Sequence, residues 1–144
     1  MNTISLDKHF FTGGNSIFTV DNGTGTHYTF KIRQPKGDNK PFFISLLTGP
    51  DNWANYTYMG IFNPNDFTIR LTKKSRYNND TIPVKVARWV LYLIRDEKPL
   101  PNGYSVNHAG KCGCCGRLLT VPESLTRGIG PECWSRICWA ICGA

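Results

Sequence analysis

His27-Tyr28-Thr29-Phe30-Lys31-Ile32-Arg33 alternates between apolar and polar side chains along its whole length. In an extended chain, Tyr28, Phe30 and Ile32 fall on one side and Thr29, Lys31 and Arg33 on the other. Strict alternation of this kind predicts a strand in a sheet with one dry face and one wet face. Such a sheet is antiparallel, because parallel sheets are covered on both sides.

Outward from this strand the chain reads as a meander. Upstream, Asp21-Asn22-Gly23-Thr24-Gly25 is rich in residues that accept left-handed backbone angles, and Ser16-Ile17-Phe18-Thr19-Val20 is the preceding strand. Downstream, residues 35–41 form a polar loop, and the unbroken apolar run 42–47 is placed as a central strand. Gly49-Pro50-Asp51-Asn52 turns the chain into a strand over 56–62. Asn63-Pro64-Asn65-Asp66 turns it again into 67–72, with Phe67, Ile69 and Leu71 inward. About five strands are expected between residues 10 and 76.

A helix follows. Asp80-Thr81-Ile82-Pro83 offers a capping side chain and an early proline, and the apolar face of Val84, Ala87, Val90, Leu91 and Ile94 runs to about Arg95. Val86, Trp89 and Leu93 widen that face, so the helix is expected to lie across the dry side of the sheet with Trp89 buried. Residues 96–103 (DEKPLPNG) stop the helix and read as a linker.

The last quarter has a different chemistry. Cys112 and Cys115 have the C-x2-C spacing of a zinc knuckle, whose tight turn lets two thiolates converge on one ion. Cys133 supplies a third ligand and His108 the best fourth, with Cys138 able to take the place of His108. Pro131 near the start of a helix over 134–142 puts Cys133 in its first turn, where free N–H groups favour a thiolate. A knuckle followed by a ligand-bearing helix is a treble-clef-like arrangement. The expected fold class is therefore α+β, an antiparallel β-meander covered by one long helix, with a C-terminal zinc module. The division falls between residues 1–102 and 103–144.

Composition bounds the rest. The 144 residues are 40% hydrophobic and 12% aromatic, enough for a real core. All six cysteines lie beyond residue 111, which does not suit a disulfide framework spread through a secreted chain. The first ten residues lack an apolar signal region, and no stretch is long enough to span a bilayer, so a soluble intracellular protein without a membrane partner is expected.

The string from His108 to Cys133, containing CGCCGRLLTVPESLTRGIGPEC, resembles a zinc-finger-like domain found in many uncharacterised bacteriophage and prophage proteins. Its common form is a His, then C-x2-C-G-R-x-L-T-x-P-x-S, then G-x-G-P-x-C. Phe11-Thr12-Gly13-Gly14-Asn15, the segment 45–52 and Tyr56-Thr57-Tyr58-Met59-Gly60 resemble the sequence that often precedes it. The resemblance implies Cys112, Cys115 and Cys133, with His108, as ligands of one structural Zn²⁺, and a phage protein acting in the host cytoplasm. It implies no settled activity. Cys114 departs from the family's usual residue inside the knuckle.

The net charge of +7 favours a polyanion or an acidic protein as partner. Lys31, Arg33, Arg70, Lys73, Lys74 and Arg76, with Lys111, Arg117 and Arg127 around the knuckle, are the candidate nucleic-acid contacts. The same charges on the sheet also suit a solvated strand edge protected from pairing. No enzyme is expected. A zinc with four protein ligands has no open position, and the chain contains no phosphate loop, nucleophile elbow or H-E-x-x-H. A nucleic-acid-binding accessory protein is therefore expected. The alternative is a protein-interaction module that inhibits or redirects a host factor, or pairs with a phage protein.

Overall fold

The computed structural model describes residues 8–35, 40–49, 55–108, 110–116, 118–119 and 126–142, with side chains as far as residue 136. Among the described residues the named elements are α1 (Lys8–Phe11), β1 (Asn15–Asp21), β2 (His27–Arg33), β3 (Phe42–Leu47), β4 (Tyr56–Asn63), β5 (Thr68–Arg70), α2 (Ile82–Arg95), β6 (Ser105–His108) and α3 (Pro131–Cys142). The sheet is antiparallel with strand order β5-β4-β3-β2-β1-β6. The meander thus occupies β1 to β5, and the chain returns after α2 to add β6 beside β1.

The alternation in β2 is realised: Phe30 and Ile32 are buried, Thr29 and Lys31 partly exposed, and Arg33 exposed. The apolar run of β3 also alternates, with Ile44 and Leu46 buried and Phe43, Ser45 and Leu47 partly exposed. A β-bulge at Ile44/Ser45 lets Met59 of β4 pack inward as an extra residue. On the dry side, α2 buries Val84, Ala87, Val90, Leu91, Leu93 and Ile94 in the same core as Phe18, Phe30 and Phe62. Trp89 is half-buried and packs edge-on against Tyr104, with ring centroids 5.1 Å apart.

Beyond the sixth strand β6 and the partial exposure of Trp89, local details differ from the sequence reading in four more places. The last meander strand covers only Thr68–Arg70, because Phe67 takes a left-handed turn (φ 56°) that closes on Asn63 O at 2.8 Å. That conformation costs about 1–2 kcal/mol for a residue with a Cβ. Burial of the Phe67 ring against Phe62 and Phe11 offsets it. Thr81 is the N-cap of α2 but makes no side-chain cap bond; its hydroxyl is engaged with Asn78 instead. The helical turn α1, absent from the sequence reading, buries Phe10 and Phe11 completely. Within 96–103, Leu100 is 1% exposed, so this stretch is anchored in the core rather than spanning open solvent. The expected turn at 50–52 and the helical turn at 122–125 lie outside the described residues.

Candidate functional site

The knuckle is built against the N-terminal turn. Asn15 N–H donates to Gly113 O (2.8 Å), Asn15 Nδ2 donates to Cys114 O (2.5 Å), and Gly113 N–H donates to Gly128 O (2.8 Å). Lys111 pairs with Leu118 across the base of the turn, which joins the two arms of the hairpin in a single bridge. The packing leaves no room for side chains at two glycines. A Cβ on Gly13 would lie 2.5 Å from Gly113 O and 2.7 Å from Cys114 Sγ, and one on Gly113 would lie 2.6 Å from Phe10.

The sulfurs of Cys112, Cys114 and Cys133 lie within 4.8 Å of one another, and these thiols are free rather than disulfide-bonded. Three soft donors at that separation could hold a metal ion. Cys112 and Cys133 were expected; Cys114 was not. Cys115, the expected partner across the C-x2-C turn, is exposed, yet its thiol still interacts with both Cys112 and Cys133. Cys133 lies in the first turn of α3, as the position of Pro131 implies.

The site prepares one thiolate. Burial pushes the Cys112 thiol up, but the N–H groups of Gly130, Cys115 and Cys114 converge on its sulfur and bring it down to about 7. Burial pushes Cys114 up to about 11, helped by the neighbouring Cys112 charge, and Cys133 up to about 12, helped by hydrogen bonds to Cys115 and Cys112. A thiol that ionises near neutral pH beside two that hold their protons is an arrangement that a cation completes by displacing protons.

His108 ends β6, opposite Phe18, and its ring lies 6.1 Å from that of Phe10. Its Nδ1 accepts the Gly110 N–H at 2.8 Å. That bond places the proton of a neutral ring on Nε2, so neither nitrogen offers a lone pair without rearrangement. The side chain of Cys138 lies outside the described residues.

The wet face of the sheet gathers a second set of expected residues. Directly opposed residues on neighbouring strands share a face. One row across it runs Lys31, Ser45, Tyr58, and the next runs Arg33, Phe43, Ile61, Arg70. Partial burial and the adjacent Arg33 push the Lys31 ammonium down, and its Nζ sits 5.2 Å from the Tyr56 ring centre. Lys73, Lys74 and Arg76 are exposed on the segment leaving β5, which the Tyr58–Thr72 hydroxyl contact (3.0 Å) ties to this face. Arg127 is different: its guanidinium stacks 4.5 Å above the Trp134 ring beside the knuckle. Arg117 lies outside the described residues. The aromatic members Phe43, Tyr56 and Tyr58 were missed as site candidates, although their alternation with inward residues was visible in the sequence.

Residues 106–137, spanning β6, the knuckle and the first half of α3, match DUF6011, a family of unknown function. No curated protein and no solved structure matches the chain. Among the described residues no helix is long and apolar enough to cross a membrane.

Proposed function

We propose that this is a small, basic, non-enzymatic nucleic-acid-binding protein whose C-terminal segment is organised by one structural zinc ion. The observation that carries the binding function is the placement of Lys31, Arg33 and Arg70 in adjacent rows of one sheet face, with Lys73, Lys74 and Arg76 leading from its edge. Cations gathered on one face create a field that a polyphosphate neutralises with release of counterions. The resemblance of the cysteine-rich string to phage proteins suggests the cytoplasm of an infected host as its setting.

Zinc suits the donor set because thiolates are soft ligands and a closed, sulfur-rich site is structural rather than catalytic. Cys112 and Cys133 are its fixed ligands, and the Cys114–Cys115 pair completes it from the buried and exposed sides. His108 is the alternative fourth ligand. The knuckle and α3 then form a treble-clef-like unit. Cobalt substitution tests the ligands: charge-transfer intensity matching four thiolates, with d–d bands unchanged in His108→Ala, supports the all-sulfur site, and intensity matching three thiolates with d–d bands shifted by that substitution restores the histidine.

Affinity purification of the tagged chain from host cells, with and without nuclease, tests the binding function. Co-purifying nucleic acid that nuclease and high salt both remove is the expected result. A stoichiometric protein partner that survives nuclease, with no nucleic acid in the untreated sample, overturns it in favour of a protein-interaction module.

A further inference from the structure

The wet face carries more than charge. Phe43 and Tyr58 stand in adjacent rows with ring centroids 5.9 Å apart and planes at 67°, so they meet edge to face and do not stack on each other. Both are partly exposed, as is Tyr56 beneath the Lys31 ammonium. Arg33 pairs directly with Phe43 in its row, Arg70 stands at the far end beyond Ile61, and both arginines are exposed. Tyr58 is held in place by its hydroxyl contact with Thr72. Aromatic rings set among cations can take a flat base against the rings and the attached phosphates against the charges.

Dimensions decide which form of nucleic acid fits. Six strands about 4.8 Å apart make a face about 24 Å across, twice the width of a major groove of about 12 Å. The face therefore cannot enter a duplex groove, and a duplex keeps its bases stacked on one another. Unpaired bases have free flat surfaces.

We propose that the open sheet face binds single-stranded nucleic acid, stacking bases on Phe43 and Tyr58 and holding phosphates at Lys31, Arg33 and Arg70. The proposal rests on the nucleic-acid reading above and narrows it to single strands. It commits to an unpaired polyanion because the aromatic residues and the cations occupy the same two rows.

Fluorescence anisotropy with the full zinc-containing chain tests it. The probes are labelled oligo(dT) and oligo(U) of about 12 nucleotides and a blunt duplex of about the same length, within the site sizes of sheet-based single-strand binders. Measurement at about 50 mM and about 200 mM salt gives the electrostatic share. Single strands should bind at least about tenfold more tightly than the duplex, and the two sugars separate DNA from RNA as the source of the strand. Phe43→Leu and Tyr58→Leu keep apolar bulk but remove the ring, and each should weaken single-strand binding about tenfold. Tyr58→Phe, which keeps the ring, should bind like the parent, and unchanged thermal melting of each variant certifies the fold. Arg33→Glu should weaken binding and flatten the salt dependence. Equal affinity for duplex and single strand, or Leu variants that bind like the parent while Arg33→Glu does not, overturns stacking and leaves charge-driven binding standing. No binding to any probe at about 50 mM salt overturns both.

Discussion

Gly13 is where the N-terminal turn and the knuckle meet most closely, and a methyl group there has nowhere to go. The nearest atoms are the Gly113 carbonyl and Cys114 Sγ, and the carbonyl is also the acceptor of the Asn15 amide. Gly13→Ala should therefore destabilise the chain by about 1–3 kcal/mol through overpacking alone. Urea unfolding of the metal-loaded protein checks this, and a midpoint equal to the parent's would show that the two segments are not in contact. The thiols make a second residue-scale prediction. Cys114 and Cys133, pushed up to about 11 and about 12, hold their protons at neutral pH in the metal-free chain, so an incoming ion must displace both. Apparent affinity should rise with pH, by roughly a hundredfold per unit for two protons, and calorimetry in buffers of different ionisation enthalpy should count at least about two protons released. Spacing alone pointed to Cys115 because C-x2-C is a ligand pattern. It said nothing of Cys114, whose place beside Cys112 and Cys133 depends on the docking of the knuckle onto Gly13 and Asn15, about a hundred residues away in sequence.

At the scale of elements, β6 and the knuckle hold on to the rest of the chain by different means. Antiparallel pairing to Phe18–Asp21 secures β6, and its Val106 is buried in the common core. Among the described residues, the knuckle is buried through Cys112, Leu119 and Ile129. Structural zinc can contribute on the order of 10 kcal/mol at neutral pH, enough to offset the ordering of a glycine-rich segment. In Cys133→Ser, hydrogen exchange should accelerate in residues 110–119 and 128–142, while the amides of β1 to β4 and of Ser105–His108 stay protected. Uniform protection in that variant would show that metal does not hold the segment. The core makes the converse prediction: Leu91→Ala, at a fully buried site on α2, should cost about 2–5 kcal/mol in global stability with the metal site intact. Heat or urea unfolding monitored by both circular dichroism and cobalt absorption separates the two cases. Most elements were legible in local pattern, since periodicity of two marks β2 and periodicity of 3.6 marks α2. The helical turn α1 and the strand β6, with its pairing to β1, were not. Four residues carry too little periodicity, and the partner of an edge strand lies in the topology, not in its own letters.

At the scale of the whole molecule, one side of the sheet is committed to the core, and the other, among the described residues, is the partly exposed face assigned above to the proposed partner. Among the described residues, positive charge predominates on the open side. Asp21, at its β1 corner, stands apart from the rows that contain Lys31, Arg33 and Arg70. Partial burial, and after it the neighbouring Arg33 charge, pushes the Lys31 ammonium down, and the phosphates of the proposed partner would supply the opposite charge. The net charge could be counted in the sequence, but its concentration could not, because Lys31, Phe43, Tyr58 and Arg70 become neighbours only through strand register. The bulge at Ile44/Ser45 shifts that register and sets Tyr58, rather than Met59, on the open side. Ultraviolet crosslinking of a single-stranded oligonucleotide to the intact protein, followed by mass spectrometry of the adducts, reads the location of the partner directly. Crosslinks confined to peptides containing Phe43, Tyr56 and Tyr58 are the predicted result. Crosslinks confined to α2 or to the knuckle, with these strands unmodified, would contradict it.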